Sequence, residues 1–183
     1  MKKSIIFGLI LSLGFMVFSA CDDNTSPVNE PSFLRLSDGT KLPLNVQYIR
    51  TNGYDADAKY PIITVIFSRT ELEQYYDNNK DKYDLSTRSS PIPSDSSIGF
   101  IDAIENYSDE YFSDNFLLIV LLEEGSGSIR HKVESIDENG DVVISRLSPG
   151  LGTCDMAEWH ILIELNDNYK KEQYQVLCFN KEY

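Results

Sequence analysis

Apolar residues recur at every second position over much of this chain, and at helical spacing over one short stretch. Phe33-Leu34-Arg35-Leu36 predicts a short first strand, and Asp38-Gly39 after it a tight turn. Leu42, Leu44, Val46 and Tyr48 then predict a half-buried strand, which Pro43 places at a sheet edge or a strand start. Asn52-Gly53 is a further turn signal. Pro61 to Phe67 is rich in β-branched residues and predicts a more buried strand. Ser68-Arg69-Thr70-Glu71 fits a capping box, with the hydroxyl three residues ahead of the carboxylate. Leu72, Tyr75 and Tyr76 follow as one apolar stripe, so a helix is expected over 69–79. Residues 84–97 read as a surface loop, Ile98 to Tyr107 as a second short helix, and Ser108 as the cap of a helical turn.

The second half reads as sheet. Phe116 to Leu122 is a continuous apolar run, consistent with a central strand. Glu123 to Gly127 turns. Ile129, His131 and Val133 alternate with Arg130, Lys132 and Glu134. Asn139-Gly140 is a hairpin signal before the strand from Val142 to Leu147. Trp159, Ile161, Ile163 and Leu165 alternate with polar residues, the pattern of a strand with one wet face, and Tyr174 to Phe179 is the last strand. The order is strands, one or two short helices, then strands. It predicts an α+β domain built on a mostly antiparallel sheet or sandwich, with the helices inserted between the N-terminal and C-terminal strands.

The N-terminus follows a different pattern. Lys2 and Lys3 precede an apolar run from Ile5 to Phe18, then Ser19-Ala20-Cys21 and the acidic Asp22-Asp23. That is the layout of a secretory signal peptide. The run is about fourteen residues, short of the roughly 20 that span a bilayer. With cysteine directly after the small pair, it resembles a bacterial lipoprotein signal, which implies lipid on Cys21 and a domain on the extracytoplasmic side of a cell membrane. Residues 1–20 are then the signal, 21–32 a polar, proline-containing flexible linker, and 33–183 a single domain.

Charge narrows the partners. The net charge is −13, and removal of the signal with its two lysines takes it to −15. As a whole such a molecule is repelled by nucleic acid and by anionic lipid, so nucleic-acid binding is set aside. Cys154 and Cys178 remain beside Cys21. In an exported protein they are a disulfide candidate, with two free thiols as the alternative.

Catalytic chemistry finds no motif. His131 and His160 lie on strands that could be neighbours, with Cys154, Asp155 and Glu158 close to the second, but their spacing matches no zinc motif. A surface histidine beside charged residues is the simpler account. Gly125-Ser126-Gly127-Ser128 precedes a strand and reads as a strand-to-strand turn, not as a phosphate loop. Tyr75, Tyr76, Tyr83, Tyr107 and Tyr111 cluster around the expected helices and suit helix-on-sheet packing. No cofactor, metal ligand set or catalytic residue is assigned. Arg130, His131 and Lys132 form a small basic island in an acidic chain, and with Trp159 they are candidate partner contacts.

One further likeness covers roughly residues 60–166. Glu71-Leu72-Glu73-Gln74-Tyr75 opens a helix after an apolar strand. Tyr107-Ser108-Asp109-Glu110-Tyr111-Phe112 then precedes the strand Phe116 to Val120, and Gly125-Ser126-Gly127-Ser128 follows it. This order resembles the C-terminal domain of PrcB-type proteins, a small extracytoplasmic family linked to stabilising a protease complex. The resemblance implies a β-rich, non-enzymatic domain that engages another protein. The expectation is therefore a membrane-anchored, non-catalytic protein-binding module, monomeric, with an envelope protein as partner. The alternatives are a solute-binding lipoprotein and, further off, a metal-dependent hydrolase.

Overall fold

The computed structural model describes residues 31–53, 55–89 and 98–182. It is an α+β fold dominated by a two-sheet sandwich. One sheet has five strands in the order β2-β1-β6-β7-β9: β2 (Lys41–Pro43), β1 (Phe33–Arg35), β6 (Arg130–Ile136), β7 (Asp141–Ser148) and β9 (Gln175–Glu182). The other has four in the order β3-β8-β5-β4: β3 (Val46–Thr51), β8 (Ala157–Asn166), β5 (Asn115–Glu124) and β4 (Ile62–Ile66). All pairs are antiparallel except β1 with β6 and β7 with β9. Two helices, α1 (Arg69–Asn79) and α2 (Phe100–Ile104), lie between β4 and β5 in the chain.

The continuous apolar run of β5 is explained by its position. Phe116, Leu118, Val120 and Leu122 enter the core between the sheets, against Trp159, Ile161 and Ile163 of β8 and Val133 and Ile144 of the other sheet. Leu117, Ile119 and Leu121 point the opposite way, into a second core with Leu72, Phe100 and Ile104 from the helices. A strand buried on both faces has no use for alternation.

Local signals are placed as the side chains require. Glu71 donates its N–H to the Ser68 hydroxyl at 3.1 Å, while its carboxylate accepts the N–H of Phe67 at 2.7 Å. This closes a capping box shifted by one residue and fixes the start of α1. Gly39 (φ 85°) and Gly140 (φ 88°) take the left-handed conformation in the two hairpin turns.

Four expectations change. The stretch 42–48 is not one strand. Leu42 pairs in one sheet and Val46 in the other, because the chain crosses the sandwich at Leu44-Asn45. The strand at 62–66 is an edge strand, not an interior one. The second helix shortens to five residues, since Gly99 supplies no capping side chain. The polar face of β8 is not wet at Glu158 and His160, which are buried, His160 against Tyr75 and Phe100 of the helices and Glu158 against Tyr60.

Candidate functional site

The turn after β5 and the loop before β8 meet at one end of the sandwich. Gly127 donates its N–H to the Asp155 carbonyl at 2.8 Å and to the Asp155 carboxylate at 3.2 Å. Ser128 and Thr153 share a hydroxyl contact at 2.9 Å, and Thr153 N–H donates to the Ser128 hydroxyl at 3.0 Å. Arg50, at the end of β3, forms an ion pair with Asp155. The Thr153 hydroxyl, the Gly127 N–H and Arg50 together hold the Asp155 carboxyl below the usual carboxylate range. A side chain at Gly127 would collide with Arg50 and Asp155, so the glycine permits this closure.

These contacts frame a shallow cleft of about 480 Å³, lined by Arg50, Ser128, Arg130, Leu151 and Thr153 among others. Arg130 forms one wall. Its guanidinium lies 5.4 Å from the centroid of the Trp159 ring and donates to the Gly127 carbonyl at 2.8 Å. Leu151 and Pro149 are the apolar side chains of the lining, and Leu151 is 93% exposed.

The four candidate contacts are thus separated. Arg130 belongs to the cleft. Trp159 is 1% exposed and serves as core beneath Arg130, so it is not a contact residue. His131 and Lys132 are also buried, on opposite faces of β6. Lys132 pairs with Glu134 at 3.1 Å on the outer face. His131 turns inward, where its Nε2 lies 2.7 Å from Glu124 and its ring packs against Trp159. Arg146 donates to the same Glu124 oxygen at 2.8 Å. This Glu124–His131–Arg146 group ties the two sheets together at the cleft end. Alternation alone cannot distinguish such a group from a surface island, because both place charge on every second residue.

His131 and His160 are not neighbours, since they lie in different sheets and His160 faces the helices. Tyr75, Tyr83 and Phe100 surround the His160 ring edge-on, and Thr51 lies 3.3 Å from its Nδ1. Burial pushes its pKa down to about 3. Glu158 on the same face is 1% exposed and accepts a 3.4 Å bond from the Tyr60 hydroxyl. Burial, opposed by that hydroxyl and reinforced by Glu123 and Asp55, pushes its pKa up to about 7. Among the described residues no group of three His, Cys, Asp or Glu is placed to hold a metal ion.

Cys154 and Cys178 are both free and exposed, so the disulfide is corrected. One sits in the loop before β8, the other in mid-strand at the edge of the opposite sheet, and neither element brings its thiol to the other. Cys21 and residues 1–20, expected to be a signal, lie outside the described residues, and among those described no helix is long and apolar enough to cross a membrane. No family model, curated protein or solved structure matches this chain.

Proposed function

We propose that this protein is a lipid-anchored, non-catalytic binding module that holds an envelope protein at the cleft end of its sandwich. The observation that carries this reading is Leu151, 93% exposed beside Arg130. Arg130, braced on the buried Trp159 with this aliphatic side chain beside it, is of the residue type in which protein-contact centres are enriched. Of the two groups with strongly perturbed pKa near or below neutrality, His160 lies among Tyr75, Tyr83 and Phe100 and Glu158 is 1% exposed beside Tyr60, and neither lines the cleft. The resemblance of residues 60–166 to the PrcB C-terminal domain points the same way, and the signal ending at Cys21 supports the anchor.

A photo-crosslinking residue placed at Leu151 in the anchored protein tests the reading in cells. One reproducible envelope protein is expected in the adduct, with the yield several-fold lower after Arg130→Ala. A second probe at Gly125, outside the cleft lining, is expected to give little adduct. Equal adducts from both positions would remove the cleft as the contact surface. Cys21→Ala is expected to move the protein from the membrane pellet to the released fraction, and retention in the pellet would remove the anchor.

A further inference from the structure

The two sheets end in four edge strands, β2, β9, β3 and β4. Proteins blunt such edges with short strands, prolines, bulges and charges, because a regular edge is a template for another strand. β2 is three residues long and ends in Pro43. β4 and β3 run for five and six residues. β9 is the longest of the four at eight residues, Gln175–Glu182, and contains no proline or glycine. It pairs with β7 in eight consecutive steps without a bulge, and among the described residues β7 is its one neighbour in the sheet. Its other side therefore presents unpaired N–H and C=O groups over a regular stretch. In mid-strand, Leu177 and Phe179 are each 45% exposed, and Cys178 between them is exposed as well.

The side chains of β9 limit what can pair with it. Phe179 and Lys181 line the outer face of the five-stranded sheet, while Val176 packs into the core between the sheets. Odd-numbered residues thus face out and even-numbered ones face the core. A second β9 laid antiparallel must keep the same sidedness, or its core face turns to water. Facing residues are then both odd or both even, and the two-fold axis passes through a residue. With Cys178 on the axis, Leu177 faces the second copy's Phe179 and Phe179 faces its Leu177, so four exposed apolar side chains cover one another. An axis at 177 sets Phe179 against Gln175, and an axis at 179 sets Leu177 against Lys181, each an apolar side chain against a polar one. Charge agrees with the Cys178 axis. Val176 to Asn180 carries none, and Gln175 faces the second copy's Lys181. The Gln175 amide donates to Asp141, and Lys181 lies 3.5 Å from Glu134. Each Lys181 therefore comes beside an Asp141–Gln175 pair, and no acid faces an acid from Gln175 to Lys181, in a molecule whose net charge is −13.

We propose that two copies of this chain join along β9, antiparallel about Cys178, and merge their five-stranded sheets into one of ten strands. Main-chain hydrogen bonds hold the strands together, and the Leu177–Phe179 pairs set the register. The pairing is non-covalent, and both thiols stay free. It departs from the monomer expected from the sequence. None of the cleft-lining residues comes from β9, so this surface is separate from the cleft.

Cysteine cross-linking reads the register. Directly opposed residues in an antiparallel pair lie about 4.5–5.5 Å apart at Cα, within reach of a disulfide. A residue two places from the axis is about 13 Å or more from its own copy, which is out of reach. The full chain carrying Cys154→Ser is made in cells and treated with diamide, which takes up the two protons and two electrons as the bridge forms. A disulfide-linked dimer through Cys178 is expected. The C154S/C178S chain, which keeps Cys21, gives the background. Adding Asn180→Cys to that chain is expected to leave the linked fraction several-fold below that of Cys178. L177E/F179E, at exposed positions and with Cys178 kept, is expected to lower it as far while the circular dichroism spectrum stays that of the natural chain. Linking at Cys178 no greater than the background, or equal at 178 and 180, would overturn the pairing. So would full linking in L177E/F179E. Cys178 bridged to a different protein instead of to itself would assign the edge to that protein and overturn self-association.

Discussion

Glu158 and His160 sit two residues apart on one strand face, and burial moves their titrations in opposite directions. Glu158 has a folded pKa of about 7 against an ordinary 4.5, so the folded state binds the extra proton. Its contribution is fully present below about 4.5 and is lost as pH rises toward 7. His160 has a folded pKa of about 3 against 6.5, so its contribution is present above 6.5 and is lost as pH falls. Between about 4.5 and 6.5 the two slopes oppose each other. Thermal melts of the natural chain are expected to change little across that window. Glu158→Gln is expected to unmask a loss on acidification, and His160→Gln a loss on raising pH, each on the order of 2 kcal/mol. Equal slopes in all three proteins would show that neither group titrates as its burial requires. The sequence names both residues but not their environment. On a strand, Glu158-Trp159-His160 reads as two wet residues around one buried one. The helices over His160 and the Tyr60 segment over Glu158 reverse the reading.

Among the elements, close approach of backbones sets the sharpest constraint. Gly53 follows β3 and looks like a turn glycine, yet its φ is unremarkable. A Cβ there would collide with the Lys82 carbonyl and the Tyr83 backbone, where the chain after α1 passes against β3. Gly53→Ala is expected to cost about 2 kcal/mol or more, read as a lower denaturation midpoint. Gly125 has open space around its would-be Cβ, so Gly125→Ala should be nearly silent. Equal midpoints for the two variants would refute the close approach. The same contrast shows which elements the sequence makes legible. The start of α1 rests on bonds among neighbours, Ser68 with Glu71 and Glu71 with Phe67, so four residues contain it. The split of 42–48 into β2 and β3 depends on two partner strands far away in sequence, β1 and β8, and no local pattern records it. The candidate site was legible only at Arg130. Leu151 is an unpatterned loop residue, and its exposure follows from how the loop lies across the sandwich end.

At the scale of the whole molecule, the sandwich stands without a covalent staple among its described residues. Two cores, one between the sheets and one under the helices, replace it. Cys154 and Cys178 are expected to react as two free thiols in the native protein, with the melting temperature unchanged by reductant. Partial burial pushes the Cys178 thiol up, which lowers its thiolate fraction and slows its reaction at neutral pH. A single reactive thiol, or none, together with a reductant-sensitive melt would contradict the arrangement. One end of the sandwich carries the cleft lined by Arg50, Arg130 and Leu151, and the outer face of the five-stranded sheet carries acids and bases together, Glu134 and Asp137 beside Arg35, Lys41 and Lys181.

By itself, the sequence determined the elements whose signals are short-range: the capped helix at 69–79, the hairpin turns at Gly39 and Gly140, and the α+β order of strands around inserted helices. It also carried the signal-like N-terminus, because charge and hydropathy are read directly from the chain. Tertiary structure decided what shares a face. It buried His131, Lys132 and Trp159, sealed Glu158 and His160, kept the two cysteines apart, and left Leu177 and Phe179 uncovered. Periodicity fixes which residues lie on the same side of a strand. Whether that side meets water, a helix or a second sheet depends on layers assembled from distant segments.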